Sequence, residues 1–380
     1  MDDRKYSTLM DAVAAVPDPR KRRGKRHPWA LILTLLSAAL VCGQHSGRAI
    51  GQWVEEHSVE LLTQLPIPQR PLPSTSTLRR ALRTLDVVAL EDRLAQFAHD
   101  LDAATPPAAA TPWHGQAVDG KAVRGAQAHG AKVHLVSLAW HATGRLRKQG
   151  RVRDKSNEIT AVPTLLHGRD LRGTVTTMDA FLTQQAIAQQ ILDQHGHYLM
   201  IVKENQPALY AAIDLLFQLP PPPTAADHVD HVTTVEKGHG RLETRTLERS
   251  CALNDYVDWP GVGQVARRTC QRIILKTGVV SEEVTYGITS LGWQEARAAQ
   301  LEGLWRGHWS IENKVHYVRD VTLGEDAGQI HVGNAPQALA GLRNGLLSLL
   351  RSKGVISIAD ALRHYGASLQ QAFELIGVPL

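Results

Sequence analysis

Strand-like runs follow one another and then alternate with helix-like runs between residues 116 and 202, and this order limits the possible folds more than any other feature. Three runs of strand-forming residues come first, at Gln116–Asp119, Lys132–Trp140 and Arg145–Arg153. The next segments alternate: a helix capped by Ser156 and ending at Leu166, a strand at Gly173–Asp179, a helix at Leu182–Gln194 and a strand at Tyr198–Val202. This order predicts a mixed α/β sheet with parallel crossovers.

The residues before this core have a helical pattern. Ser74 offers an N-cap for one helix of this region, and the same helix carries Arg79, Arg80 and Arg83. Several short helices with basic residues resemble a DNA-binding module, although no recognition helix can be assigned. We therefore predict a basic, helical DNA-binding domain at residues 1–104.

After Lys203 the pattern changes to antiparallel β structure and then to helices. Residues 232–249 and 264–290 are strand-like, and residues 294–320 and the tail from Ala335 are helical. We predict the first part of the α/β core at 112–204, a β-rich insertion at 205–292, and the rest of the core with C-terminal helices at 293–380.

The positive charge is concentrated near the start of the sequence. The chain has a net charge of +5 and an isoelectric point near 9.1. A block of lysines and arginines indicates a polyanionic partner, with a solvated arm that binds nothing as the alternative. The block consists of Arg20, Lys21, Arg22, Arg23, Lys25 and Arg26.

Neither a membrane span nor a disulfide framework fits the composition. The longest mostly apolar run, Trp29–Cys42, is shorter than the ~20 residues that a membrane helix needs. The chain has 3 cysteines and no CxxC pair. We expect a reduced, cytoplasmic protein that does not bind membranes, in which Trp29–Cys42 is a buried helix.

A single carboxylate, Glu312, lies within an otherwise apolar and aromatic helical pattern. The apolar face recurs at spacings of three and four residues, from Leu301 to Val318, and Glu312 borders it. A carboxylate in such surroundings is unfavourable unless a cation lies against it. We therefore treat Glu312 as a candidate functional residue.

Two aspartates, Asp119 and Asp179, each end a predicted strand. If the crossover returns beside the first strand, the two carboxylates lie side by side at the carboxyl ends of parallel strands, and Glu312 can complete the set. Oxygen ligands of this kind favour Mg²⁺ or Mn²⁺. Two such ions about 4 Å apart can activate a water or a 3′-hydroxyl and stabilise the leaving oxygen of a phosphodiester.

Each of the three acids also has a purely structural explanation. Asp119 precedes Gly120 and can be a turn residue, and Asp179 can cap the next helix. Glu312 can form an ion pair with Arg319 or His308.

Seven stretches, in the same order along the chain, resemble the DDE transposases of bacterial insertion sequences, specifically the ISAs-type family that includes the H-repeat-associated proteins. They cover residues 18–345, which is nearly the whole chain. The stretches are Asp18-Pro-Arg with Arg23–Pro28, Ala117–Gly125, Lys155–Ile159, Thr177–Ala180 with Gln184, Lys203–Gln206, Gly238–Arg245 and His308–Asp326.

The resemblance implies an RNase H-like catalytic core whose metal-binding and catalytic acids are Asp119, Asp179 and Glu312. It also implies a β-rich insertion and an N-terminal transposase-associated domain. Related transposases carry a Tyr-x2-Arg-x3-Glu-x6-Lys signature, and this chain has Trp305, His308, Glu312 and Arg319 at those positions. Leu323 and His331 stand where members often have Phe and Arg.

The resemblance further suggests contacts with DNA. Lys121, Arg124 and Lys203 would hold phosphates of the scissile strand, and His239, Arg241 and Arg245 would grip the transposon end, as His308 and Arg319 would near the glutamate. A salt bridge is the alternative for each basic residue. Contacts of this type position the DNA backbone and do not read its sequence.

The resulting expectation is a bacterial, nucleoid-associated transposase. It would bind insertion-sequence ends as a homodimer on double-stranded DNA, cleave them with two Mg²⁺ ions, for which Mn²⁺ can substitute, and join the 3′ ends to target DNA. The alternatives are a domesticated DNA-binding protein and a metal-dependent nuclease without strand transfer.

Overall fold

The computed structural model divides the chain into two compact units. The helical unit comprises residues 1–108, 120–161 and 310–380, and the sheet unit comprises residues 109–119 and 162–309. Within these units, the structure describes residues 5–22, 25–65, 71–104, 112–128, 131–152, 158–219, 229–328 and 330–378.

The helices of the described ranges lie mostly before the first strand and after the last one. They are α1 (Leu9–Ala14), α2 (Trp29–Val41), α3 (Gly47–Glu56), α4 (Ser58–Gln64), α5 (Thr75–Thr84), α6 (Val87–Ala104), α7 (Glu158–Leu166), α8 (Gln185–Asp193), α9 (Pro207–Gln218), α10 (Ala298–His308), α11 (Ala335–Ser352), α12 (Ile358–Gly366) and α13 (Leu369–Ile376).

The strands include those that the sequence predicted, with some shifts in their ends. They are β1 (His114–Ala128), β2 (Ala131–Trp140), β3 (Leu146–Arg151), β4 (Thr174–Met178), β5 (His197–Val202), β6 (Val229–Gly238), β7 (Arg241–Ser250), β8 (Gln264–Ile274) and β9 (Val280–Thr289). Ser156, the predicted cap of α7, lies outside the described residues.

The helical unit is built around α11. Every residue from Ala335 to Leu350 is buried, and α11 packs against α5, α6 and β3. The mostly apolar α2 is buried on nearly all sides, which confirms the predicted buried helix. The Ser74 hydroxyl accepts a hydrogen bond from the Thr77 amide at 3.4 Å, so the predicted N-cap of α5 is also confirmed.

The sheet unit contains a mixed sheet in the order β1-β4-β5-β9-β8-β7-β6. β4 lies parallel to both β1 and β5, while β5 pairs antiparallel with β9. All five residues of β4 are buried, as expected for a central strand with both faces covered. The predicted mixed α/β sheet with parallel crossovers is therefore confirmed.

From Gly120 onward, β1 belongs to the helical unit, where the strand order is β3-β2-β1.

The segment after Lys203 differs from the prediction. α9 forms where the change to β structure was expected, because Pro207 suits the first turn of a helix and Leu209 and Ile213 bury one face. The antiparallel strands that follow then continue the sheet, since β9 pairs with β5 from Leu199↔Thr289 to Val202↔Tyr286.

The segment that carries Glu312 also differs from the regular α-helix predicted for residues 294–320. α10 ends at His308, and two π-helical turns follow, at Glu312–His316 and Val318–Thr322. These wide turns change which side chains share a face. No helix in the described ranges is both long enough and apolar enough to cross a membrane.

Candidate active site

The two aspartates of the sheet unit lie where the parallel pairing of β1 with β4 stops. β1 itself continues past Asp119 to Ala128, so the prediction that Asp119 ends its strand is wrong. The last paired residues of β1 and β4 are Val118 and Met178, and Asp119 and Asp179 directly follow them. Both aspartates are half-buried. The predicted neighbourhood of the first and fourth strands is therefore confirmed, and it brings the two carboxylates to the carboxyl edge of the sheet.

A network of hydrogen bonds fixes the turn that follows Asp179. Its Oδ1 accepts a hydrogen bond from the Leu182 amide at 3.1 Å. The Thr183 hydroxyl bonds to the carbonyls of Asp179 at 3.0 Å and Ile201 at 2.6 Å. α8 begins only at Gln185, so Asp179 stabilises a turn and is not the N-cap of that helix.

Glu312 lies in the helical unit, on the first π-helical turn, and its side chain is 54% exposed. The segment therefore places this carboxylate towards solvent, and the expected crowding by aromatic and apolar neighbours is wrong. The partner of Glu312 is His316, whose Nδ1 lies 2.9 Å from Oε2. Neither of the two partners suggested by the sequence, Arg319 or His308, fills that role.

The surroundings of Glu312 favour its ionised form. The hydrogen bond with His316 lowers the pKa of Glu312, partial burial opposes this shift, and the charge of Lys121 adds to the lowering. His316 itself is buried, with 3% of its side chain exposed, so it holds the carboxylate from the protein side. His316 was not among the residues predicted for the site, although its i, i+4 spacing from Glu312 was the available signal.

Arg319 is buried, and the prediction that it contacts DNA is therefore corrected. Its side chain is fully inaccessible, and its guanidinium forms a bidentate pair with Glu325, with Nη2 2.7 Å from Oε1. Its Nη1 also donates to Gln149 Oε1 at 3.0 Å. A buried arginine that is saturated in this way stabilises the helical unit and is not available to a phosphate.

His308 and Lys121 are also engaged within the protein. His308, at the end of α10, has its Nδ1 3.0 Å from the hydroxyl of Thr177 on β4. Lys121 Nζ lies 2.5 Å from Asp320 and 3.7 Å from Glu325, with only 10% of the side chain exposed. Both residues thus position structural elements next to the candidate acids.

Two described members of the N-terminal basic block pair with Asp18: Lys25 Nζ lies 3.3 Å from its carboxylate, and Arg20 is held by several contacts. Arg20 donates to Asp18 and to the carbonyl of His27, each at 2.8 Å, and lies over the ring of Trp29. The other described members of the block are exposed, and Arg23 lies outside the described residues. The exposed members are Lys21, Arg22, Lys25 and Arg26.

The basic residues of the β6–β7 hairpin are largely paired with acids. Glu243 takes ion pairs from Arg241, at 2.7 Å, and from Arg245, which is only 12% exposed. His239 is exposed in the tight turn, with a positive φ of 48°. Two other residues predicted to contact DNA lie at the surface. Lys203, which follows β5, is exposed, and the side chain of Arg124 is 78% exposed.

The chemistry of these donors fits a hard divalent cation. Asp119 and Asp179 present oxygen ligands at one sheet edge, and Glu312 is exposed and held in its ionised form. Carboxylates of this kind bind Mg²⁺ or Mn²⁺ while the ion keeps several waters.

Comparisons with known proteins agree with this chemistry. Residues 106–349 match the family described as Transposase DDE domain, and residues 10–98 match the family described as DDE_Tnp_1-associated. The chain therefore belongs to the DDE transposases, a family of DNA-cleaving and DNA-transferring enzymes, and specifically to their insertion-sequence members related to H-repeat-associated proteins.

Individual relatives cover nearly the whole chain. The transposase-named relative YncI of Escherichia coli O157:H7 is 29% identical over 90% of this chain and 87% of its own length. The H repeat-associated relative YhhI of Escherichia coli K12 is 28% identical over 91% of each chain. A solved structure, the piggyBac transposase synaptic complex with hairpin DNA, aligns with a TM-score of 0.47 and 10% identity, over 96% of this chain and 78% of that one.

Proposed function

We propose that this protein is an insertion-sequence transposase that binds the ends of its element, cleaves them with divalent metal and joins the 3′ ends to target DNA. The observation that carries the proposal is the pair of aspartates that directly follow the last parallel-paired residues of β1 and β4, in a chain of the DDE family. The sheet order around β1, β4 and β5 is consistent with an RNase H-like core.

In this proposal, Asp119, Asp179 and Glu312 are the catalytic acids and together bind Mg²⁺, with Mn²⁺ able to substitute. When bound, two ions would lower the pKa of a water or 3′-hydroxyl and stabilise the charge of the leaving oxygen. The exposed carboxylate of Glu312 is held ionised by His316, which acts as a positioning residue.

Chain connectivity supports a shared role for the three acids. Glu312 follows His308 by four residues, and His308 is bonded to Thr177, two residues before Asp179. Asp119 is separated by one residue from Lys121, whose charge acts on Glu312.

Exposed basic residues would hold the DNA backbone in this scheme. The candidates are Lys21, Arg22, Lys25, Arg26, Arg124, Lys203 and His239, all of which are exposed. Because joining two ends requires both to be present, we further propose that two copies act together on DNA.

The first prediction tests the acids directly. Asp119→Asn, Asp179→Asn and Glu312→Gln should each abolish Mg²⁺-dependent cleavage of DNA carrying the element ends, while the affinity for that DNA is retained, because each change removes a metal ligand and leaves the DNA contacts. Cleavage is measured by mapping cut sites on labelled end DNA, and binding by gel shift. Asp170→Asn is the control, since this exposed carboxylate pairs with Arg172 at the surface.

The outcomes separate the competing functions. Cleavage that survives any of the three substitutions would remove that residue from the catalytic set. Cut ends without joined products, in an assay that supplies paired ends and a target, would indicate a nuclease. Binding without cleavage in the wild-type protein, with either Mg²⁺ or Mn²⁺, would indicate a DNA-binding protein.

A further inference from the structure

A cavity of about 340 Å³ in the helical unit is lined almost entirely by basic and apolar side chains. The first turn of α3, one face of α5 and the segment before α11 form its walls. The polar residues of the lining are His45, Ser46, Arg48, Arg79, Arg83 and His331, and no aspartate or glutamate is among them. We call this feature the arginine cavity.

The three arginines of the arginine cavity have no acidic partner in the part of the chain that the structure describes. Arg48, Arg79 and Arg83 are exposed, and none forms an ion pair with a carboxylate of the described residues. Many other arginines do: examples are Arg145 with Asp102 at 2.7 Å and Arg268 with Glu302 at 2.7 Å. The uncompensated charge therefore distinguishes the arginine cavity from the usual surroundings of arginine in this chain.

Two of these arginines are placed on the same side of one helix. Arg79 and Arg83 are four residues apart on α5, so their side chains lie on one face, where like charges repel. A Cβ at Gly47 would lie 3.3 Å from Cγ of Arg79, so the side chain of Arg79 packs against the start of α3. The positive end of the α3 dipole thus adds to the charge of Arg79.

Hydrogen bonds hold the walls of the arginine cavity together. The Asn334 amide donates to the carbonyl of Arg83 at 3.4 Å, and its side chain donates to the carbonyl of Leu85 at 2.9 Å. Arg343 donates to the carbonyl of His45 at 2.9 Å. The cations are therefore presented by a fixed framework, which reduces the entropy lost when an anion binds.

We propose that the arginine cavity binds a backbone phosphate of duplex DNA, outside the catalytic acids. The fork of N–H groups on a guanidinium matches the oxygens of a phosphate, and neighbouring arginines relieve their mutual repulsion when a phosphate lies between them. A phosphate contact positions the DNA and does not read its sequence. This inference rests on the proposed function, because it assumes that the chain binds DNA.

The test compares three arginines of the same helix, and it is the second prediction. Arg79→Gln and Arg83→Gln should each weaken binding of duplex DNA about tenfold, the typical effect of losing a charge-assisted hydrogen bond. The double variant should also reduce the slope of log K against log salt by about 1, as for the loss of one phosphate contact. Affinity is measured by fluorescence anisotropy over a NaCl series without metal, on element-end DNA and on unrelated duplex.

Arg80→Gln is the matched control, because Arg80 is an exposed arginine of α5 that does not line the cavity. Arg83→Lys should give an intermediate loss, since it keeps the charge without the guanidinium fork. An equal loss in Arg80→Gln and Arg83→Gln would overturn the proposal in favour of a diffuse surface charge. A loss of affinity that is confined to element-end DNA would also overturn the proposal, because it would mean that the arginines read the DNA sequence.

Inorganic phosphate separates a small-anion site from a DNA site. If phosphate raises the melting temperature of the wild type but not of the double variant, and both bind DNA equally, the arginine cavity binds free anions and the proposal is wrong. The proposed function fails separately, if the wild type binds no DNA. If the wild type binds and cleaves DNA and the double variant binds DNA as tightly as the wild type, only the proposal for the arginine cavity is overturned.

Discussion

At the scale of single residues, Glu312 and Glu325 show that similar side chains in one segment can have opposite environments. Glu312 is 54% exposed, whereas Glu325 is only 2% exposed. Burial alone would raise the pKa of Glu325, but Arg319 and Arg343 outweigh it and lower the pKa. Arg319 and Arg343 thus neutralise Glu325, whereas Glu312 stays accessible to solvent.

The third prediction follows from this buried pair. Glu325→Gln should lower the free energy of unfolding by about 3–5 kcal/mol, because it leaves the buried charges of Arg319 and Arg343 without a counter-ion. The measurement is urea unfolding followed by circular dichroism. Asp360→Asn, which removes an exposed partner of Arg363, should leave the free energy of unfolding nearly unchanged. Similar losses in both variants would show that Glu325 is not the structural counter-ion.

At the scale of secondary-structure elements, Glu91 links α6 to β3 and α11. Its Oε1 accepts hydrogen bonds from Gln149 at 2.8 Å and from Gln337 at 3.0 Å. No cation pairs with it at close range in the described part of the chain, and burial raises its pKa to about 7. The packing of these three elements therefore includes a carboxyl group that is protonated below neutral pH.

The fourth prediction is a pH dependence of stability with a defined sign. Since the folded pKa of Glu91 is above its unfolded value, the folded state binds more protons between pH 4.5 and about 7, and stability should fall as the pH rises through that range. Glu91→Gln should remove this contribution, of up to about 1.4 kcal/mol per pH unit, because an amide does not ionise.

Urea unfolding of the wild type and Glu91→Gln across that pH range measures the difference. Asp92→Asn is the neighbouring comparison. Asp92 is exposed beside Lys148, and its charge adds to the raised pKa of Glu91 far less than burial does, so most of the dependence of stability on pH should remain. If the free energy of unfolding has the same dependence on pH in the wild type and in Glu91→Gln, Glu91 does not titrate as its burial implies.

At the scale of the whole molecule, metal binding should be visible in global stability. The fifth prediction is that Mg²⁺ raises the melting temperature of the wild type in proportion to the logarithm of its concentration, because the ion binds the folded chain and not the unfolded one. Asp119→Asn and Glu312→Gln should lose this increase, and Asp170→Asn should keep it. Thermal unfolding with Mg²⁺ or with Na⁺ at equal ionic strength makes the comparison. An unchanged increase in the acid variants would place the ion elsewhere.

Much of the fold could be predicted, because it depends on local patterns. The mixed sheet and the capped helix α5 follow from the spacing of apolar residues and from turn and cap residues. The parallel neighbours β1 and β4 were predicted on the condition that the crossover returns beside the first strand, which is a common arrangement. The π-helical turns after α10 could not be predicted, since residues 294–320 have the apolar spacing of an α-helix. α9 was missed because the strand-like runs after it dominated the interpretation of that region.

The sequence by itself determined the kinds and order of most elements and the family, since these depend on residues that are close in the chain. Only the tertiary structure decided which charges are neutralised. Lys121 and Arg319 meet Asp320 and Glu325 and are withdrawn from the surface, whereas the arginines of the arginine cavity meet no described carboxylate. Ion pairing depends on packing between distant segments, such as Lys121 with Asp320, and spacing along the chain does not specify such contacts.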